Sequence, residues 1–360
     1  MAAAVGIGRF VYTPILPLMV ENLGMTRSAA GLLASANFAG YLAGALVAAM
    51  PGLPGSRRRW LMAALMVGAL TTAAMAVTSS SPVFLGLRFA GGVASAFGLV
   101  FSSALVLDRL GAAGRPGLAA VHFAGVGTGI AISAIVVVFS SGWRAAWLGA
   151  GLVSLVLIAM VAALIPDRSD VTPVMPLPAS TTGSPLIKLV VAYGLFGFGY
   201  IISATFLVAM VRDSPEIRAF EPVVWLLVGL TAAPSVAVWR AVEGRMGIAR
   251  AFALACATEA IGVAASVLWI SPAGVLLAAA LLGATFMGIT ALGLIWARRL
   301  AQGDPRRALA VMTAAFGFGQ IVGPVFAGMV YDAAGTLLVP SLTAAAALLV
   351  GATLALIRSG

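Results

Sequence analysis

The sequence predicts an all-α membrane protein, with twelve transmembrane helices arranged as two pseudo-symmetric six-helix bundles. Three observations carry that expectation. Apolar runs close to the roughly 20 residues needed to cross about 30 Å of hydrocarbon recur twelve times along the chain. Basic residues between the runs fall almost wholly in alternate loops. Short motifs of the first run return in the seventh at an offset of 191 residues.

Composition sets the solvent. Hydrophobic residues make up 62% of the chain and charged residues 9%, with mean hydropathy +1.10. A soluble domain carries about 25% charge, recurring along one face of each helix, and no run here shows that. Cys256 is the single cysteine and His122 the single histidine. That excludes intrachain disulfides, Cys-based clusters and His-rich metal sites, so no metal or other cofactor is expected. The net charge of +10 is scattered over short loops rather than gathered on one face, which argues against nucleic-acid binding. All basic residues but Lys188 are arginine, as in proteins of GC-rich bacteria. No cleavable signal peptide is expected, because a basic leader is lacking and Arg9 interrupts the apolar stretch. The chain starts almost inside its first helix, so a few residues are expected upstream of Met1.

The spans are placed, in order, at 2–20, 29–50, 60–77, 83–107, 117–139, 143–165, 186–211, 222–240, 250–270, 273–297, 307–330 and 337–357. Turn chemistry marks three joints: Ser79–Pro82, Ser140–Gly142 and Ser271–Gly274. Fifteen basic residues lie in loops or at span ends on the N-terminal side. Four lie on the other: Arg27, Arg144, Arg212 and Arg218. The positive-inside rule then puts both termini in the cytoplasm. Trp60, Trp143, Trp147, Trp225, Trp239, Trp269 and Trp296 all fall near span ends, where indole rings favour the membrane interface.

A proline-rich polar connection at 166–185 reads as a cytoplasmic linker between an N-terminal half, 1–165, and a C-terminal half, 186–360. Gly6, Gly8, Leu16 and Met19 are matched at the 191-residue offset by Gly197, Gly199, Leu207 and Met210. Two parallel six-helix halves are the architecture of transporters that bind substrate near the midplane.

Charged groups inside spans need a reason, since each costs roughly 2.5–3.5 kcal/mol on insertion scales. Arg9 stands halfway through the first helix, among Gly6, Gly8, Pro14 and Pro17, which predict a broken helix beside a cavity. It reads as an anion-binding or coupling residue, or as a structural arginine held by carbonyls and a neighbour such as Asn37. Arg88, near the outer end of the fourth helix, can snorkel or act in coupling. Glu259 is the only deep carboxylate, a proton-exchange candidate whose ionisation depends on access to water. Its helix is expected to be peripheral, and a Glu bonded to a neighbouring helix is the alternative. His122, at the start of the fifth helix, titrates in a useful range or is simply interfacial. Gly125, Gly127 and Gly129 beside it read as packing residues. Tyr200, Thr205, Asn37, Tyr41 and Gln320 supply neutral polar groups that either orient substrate or bond neighbouring helices. On the cytoplasmic side, Arg57, Arg58 and Arg59 can meet Asp108, next to Arg109. Glu243, near Arg245, can meet Arg298 and Arg299. These pairs are expected to latch that side shut, unless they are only solvated surface pairs worth little.

Several strings resemble the YbfB/YjiJ family of the major facilitator superfamily: Gly6-Ile7-Gly8-Arg9-Phe10 through Leu16-Pro17-Leu18-Met19, Ser35 to Ala45, His122 to Ile130, Gly197 to Phe206 and Gly319 to Pro324. The resemblance spans most of the chain. It implies a twelve-helix fold, alternating access and a plasma-membrane location. Arg88-Phe89-Ala90-Gly91-Gly92 looks like the superfamily's fourth-helix motif, whose arginine is linked to proton coupling. Glu243 to Gly247 looks like a loosened version of its acidic loop signature. The loop from Pro51 to Arg59 lacks that signature's aspartate, and the fifth helix lacks the antiporter Gly-Pro pair.

The function expected is secondary active transport of a small organic solute across a bacterial inner membrane, proton-coupled and outward, by a monomer. Arg9 and Arg88 without a deep carboxylate beside them favour an anionic solute. A non-transporting sensor on the same fold is the alternative. A membrane enzyme is disfavoured, because one His, one Cys and one buried Glu are too few for a catalytic set.

Overall fold

The computed structural model describes residues 1–50, 53–164, 184–301 and 305–357. Its described residues form helices and no strands, and twelve helices are long and apolar enough to cross a membrane. They are α1 (Ala2–Leu23), α2 (Arg27–Ala48), α3 (Arg57–Val77), α4 (Ser81–Ala112), α5 (Ala119–Val138), α6 (Trp143–Leu164), α7 (Pro185–Asp213), α8 (Arg218–Met246), α9 (Ile248–Leu268), α10 (Pro272–Leu300), α11 (Arg307–Ala334) and α12 (Leu338–Leu356). Each coincides with an expected span. The largest differences are at α8, which runs several residues further at both ends, and at the C-terminal end of α4. The expected linker lies almost wholly outside the described residues.

Local sequence explains the joints. Thr26 and Ser271 cap α2 and α10, their hydroxyls accepting from Ala29 N at 3.1 Å and Gly274 N at 3.1 Å. Gly24, at φ 60°, ends α1 in the left-handed region that glycine tolerates. The first helix is interrupted rather than fully broken: Val11 keeps helical dihedrals and donates to the Ile7 carbonyl at 3.1 Å. It is π-helical over Ala2–Ile7, turns α-helical over Gly8–Phe10, and resumes over Tyr12–Leu23. Pro14 and Pro17 cannot donate to the carbonyls one turn earlier, which loosens the helix where Arg9 projects.

Helices α1–α6 pack among themselves, as do α7–α12, and the two groups meet chiefly where α2 lies on α11 and α5 on α8. Both crossings depend on glycine. A Cβ on Gly31 would stand 2.1 Å from the Pro324 carbonyl oxygen, and one on Gly127 would stand 2.3 Å from Ala233 N. Close backbone approach through small residues is how helices associate in lipid, where no hydrophobic force drives them together. The outward faces are apolar, with Phe139, Leu152, Leu164 and Phe318 exposed, as helices bathed in hydrocarbon require.

The tryptophans depart from the interfacial expectation in part. Trp147, Trp225 and Trp239 are buried inside the bundle. Their indole N–H groups reach Met19 Sδ at 3.4 Å, Ser133 Oγ at 3.2 Å and the Ala284 carbonyl at 2.7 Å. A buried indole needs such a partner, and sequence position alone does not distinguish it from an interfacial one.

Candidate functional site

Arg9 reaches from α1 to the junction of the two groups of helices and is 5% exposed. Its Nη2 donates to Gln320 Oε1 of α11 at 3.2 Å, and Gln320 Nε2 in turn bonds the Tyr200 hydroxyl of α7. The guanidinium lies 4.0 Å from the centroid of Tyr41 and 5.1 Å from that of Phe38, both on α2. Arg9 Nε is buried without a hydrogen-bond partner. Among the described residues no carboxylate pairs with Arg9 or with Arg88. The neighbour expected for Arg9 was Asn37, but Asn37 bonds the Arg88 carbonyl at 2.9 Å instead. Spacing along two separate helices cannot reveal which polar group meets which.

Arg88 does not snorkel. It is 3% exposed and turns inward, with Nη2 3.4 Å from the Arg9 carbonyl, Nε 3.5 Å from the Leu33 carbonyl and its guanidinium over the Tyr12 ring at 4.7 Å. It therefore braces the interruption in α1 from behind. α4 begins at Ser81 rather than 83, which sets Arg88 two turns deep.

Across the junction from Arg9 stands a set of aromatic rings. Tyr200 is parallel to Phe286 of α10 (centroids 5.8 Å apart, interplanar angle 5°) and to Phe316 of α11 (5.7 Å, 4°). Phe196 stacks on Tyr200 at 5.0 Å, and Phe10 meets Phe286 edge-on at 5.7 Å. Thr205 is buried on α7 just beyond Ala204, whose carbonyl accepts the Thr13 hydroxyl at 2.6 Å. It does not join the Arg9 cluster.

Glu259 is fully buried on α9, facing inward rather than lying on a peripheral face. Neither carboxyl oxygen meets a well-aligned hydrogen-bond donor among the described residues, yet the Thr285 hydroxyl of α10 stands within bonding reach of the carboxyl, the neighbouring-helix contact that the structural alternative expects. Thr285 of α10 faces it, with its own hydroxyl donated to the Leu281 carbonyl at 2.6 Å. His122 lies apart from the centre, half-buried, with Nε2 3.3 Å from Ser103 Oγ.

The charged ends divide by face. On the face of the termini, Arg57 pairs with Asp108 at 2.6 Å, and Glu243 pairs with Arg299 at 2.6 Å and Arg240 at 2.7 Å. Each pair joins groups within one set of six helices. Arg298, Arg109 and Arg245 form no ion pair among the described residues. The pairs expected as a latch therefore do not tie the two sets together here. The opposite face carries the bridging charges. Glu21 of α1 takes Arg212 of α7 through two bonds of 2.7 Å, with Arg218 at 3.4 Å. Arg27 of α2 pairs with Asp213 of α7, and Asp332 of α11 accepts from the backbone N–H groups of Arg27 and Ser28 at 3.0 Å each. Beside this seal, a cavity of about 220 Å³ opens between α1, α5, α7 and α8, with Leu18, Val208, Trp225 and the Arg212–Glu221 pair in its wall.

Glu21, Asp213, Glu221 and Asp332 were not among the sequence candidates, since each sits at a span edge. A signal was present. Glu21 and Arg212 are 191 residues apart, the repeat offset, so opposite charges occupy equivalent positions of the two halves.

The chain's fold recurs in solved transporters. A mutant of the nucleoside transporter NupG superposes with TM-score 0.73 at 15% identity, over 98% of this chain and 97% of that one. NupG itself gives 0.71 at 14% identity, over 98% and 96%. A bacterial homolog of the human lysosomal transporter Spinster, inward-facing and unoccupied, gives 0.66 at 13% identity, over 98% and 92%. No curated protein matches the sequence. The model of the family described as uncharacterised MFS-type transporter YbfB matches residues 1–356, and a multi-pass helical chain built around a junction between two six-helix sets is what such a transporter requires; the protein belongs to that family of secondary transporters.

Proposed function

We propose that the protein carries a small organic anion across the bacterial inner membrane by alternating access, in exchange for protons. Antiport makes the net direction export. The single observation that carries the reading is Arg9, a buried cation without a carboxylate, held between the two halves by Gln320. An uncompensated charge in a low-dielectric site is costly, and an anionic substrate offsets that cost when it binds.

Glu259 is the proton site of this scheme. Its fully buried carboxyl, faced by Thr285 of α10, exchanges its proton when the conformational change admits water to it. The two halves, 1–165 and 186–360, joined through 166–185, rock about the α2/α11 and α5/α8 crossings. The arginine-rich face of the termini is the cytoplasmic one, which the fifteen-to-four bias supports. A monomer suffices, because the site is complete within one chain. Asp108–Arg57 and Glu243–Arg299 hold the cytoplasmic helix ends of each half in register during the movement.

The test is flux in proteoliposomes with an imposed pH gradient, using labelled organic anions, neutral solutes and cations, with protein-free liposomes as the measure of passive permeation. Gradient-driven movement of anions, lost in Arg9→Gln, is the expected result. Flux independent of the gradient removes the coupling, and preference for cations removes the substrate class. A neutral nucleoside, the cargo of NupG, is the second reading. The flat rings of Tyr200, Phe286 and Phe316 favour it, but it leaves Arg9 without a role.

A further inference from the structure

The site holds two chemistries side by side, one from each half. From the N-terminal half come the Arg9 guanidinium and the Tyr41 ring beneath it. From the C-terminal half come three parallel rings, Phe286, Tyr200 and Phe316, with Gln320 between the cation and the rings. We propose that the substrate is a planar aromatic monocarboxylate, its carboxylate on Arg9 and its ring among the parallel rings. This rests on the anion reading above and narrows it.

Four features point to that class. Arg9 has an unused, buried Nε donor beside the Nη2 that Gln320 occupies. A carboxylate engages the Nε–Nη2 edge of a guanidinium through two parallel bonds, displacing Gln320 Oε1. One carboxylate is enough, since the second buried cation, Arg88, is committed to two backbone carbonyls and the Tyr12 ring. Neutral hydrogen-bonding groups around Arg9 are few: Gln320 and the Tyr200 hydroxyl, which bond each other, and the hydroxyl of Tyr41, whose ring lies against the guanidinium. A sugar or polyol would leave most of its hydroxyls unsatisfied there, at a penalty for each. Finally, Phe286, Tyr200 and Phe316 lie nearly parallel to one another, so a flat ring that enters as the two halves separate is matched to their planes. Because Arg9 and the rings belong to different halves, such a ligand contacts both at once and couples its own binding to their closure.

The experiment is isothermal titration calorimetry on the purified full-length chain. The probes are benzoate, 4-hydroxybenzoate and indole-3-acetate, set against cyclohexanecarboxylate (same charge, not flat), benzamide (flat, neutral) and uridine. At least one aromatic carboxylate is expected to bind saturably. It should bind roughly three- to tenfold more tightly than cyclohexanecarboxylate and more than about tenfold more tightly than benzamide. Replacing Phe286 and Phe316 together by leucine should erase the first preference and keep the second, and Arg9→Gln should do the reverse. If cyclohexanecarboxylate equals benzoate and both are lost in Arg9→Gln, the aromatic class is wrong and the anion reading stands. If benzamide or uridine binds as tightly as the carboxylates, both fail. Absence of saturable binding by all three aromatic carboxylates also overturns the proposal. Should the double leucine variant not fold, the wild-type series decides alone.

Discussion

Arg9 and Tyr200 stand 191 residues apart in the sequence and meet at one side chain, Gln320, which accepts from the first and bonds the hydroxyl of the second. They occupy equivalent positions of the repeated helix, as Thr13 and Ala204 do, and Glu21 and Arg212. The repeat is thus visible as contacts across the junction. It is also asymmetric in chemistry, with a cation on one side and a ring on the other.

That asymmetry makes Arg9→Gln informative in the empty protein. A charge inside a span costs roughly 2.5–3.5 kcal/mol on insertion scales, which the Gln320 bond and the Tyr41 ring offset only in part. The variant should therefore unfold at a higher temperature than wild type in detergent, while losing anion-dependent stabilisation. A lower unfolding temperature would show that Arg9 is a structural brace.

The seal on the face opposite the termini should govern access from that face. Arg27→Ala with Asp213→Ala removes a pair whose arginine is 8% exposed, and Glu21→Gln releases Arg212. In a Cys256→Ala background carrying a cysteine at Val208, labelling by an impermeant maleimide should rise several-fold over the intact seal. Unchanged labelling would mean that the glycine crossings alone hold this face shut.

Glycine at the α5/α8 crossing is the corresponding test of packing. Gly127→Ala puts a methyl 2.3 Å from Ala233 N, whereas a methyl on Gly117 meets nothing within 4 Å. Gly127→Ala should destabilise the closed state by roughly 1–3 kcal/mol, read as a lower unfolding temperature, with Gly117→Ala near wild type. Equal behaviour of the two would refute the crossing as a close contact.

Glu259→Gln separates proton coupling from the rest. Glutamine keeps the volume and can still bond the Thr285 hydroxyl, so folding should be preserved. Solute exchange at equal pH should continue while movement driven by a pH gradient stops. Retained gradient-driven movement would assign coupling elsewhere.

Much of this was legible in the sequence because membranes constrain it so strongly. Each backbone segment in hydrocarbon must satisfy its own hydrogen bonds, so apolar length alone marks the twelve helices. A charge within them, such as Arg9 or Glu259, stands out against that background. Contacts between helices were less legible. Asn37 went to the Arg88 carbonyl, not to Arg9, and Trp225 and Trp239 went inside, since the rotation of one helix against another leaves no periodic signature in a chain that is apolar on every face.

What the sequence by itself determined, then, is the number and order of the helices, the irregularity of α1 around Arg9, and the residues worth suspecting. Tertiary structure alone decided their partners: Gln320 and the rings for Arg9, Thr285 facing Glu259, and a seal of Glu21, Arg27, Arg212, Asp213 and Asp332 on the face opposite the termini. The physical reason is that hydropathy is set residue by residue. Which charges bridge the two halves depends on how glycine lets α2 approach α11 and α5 approach α8.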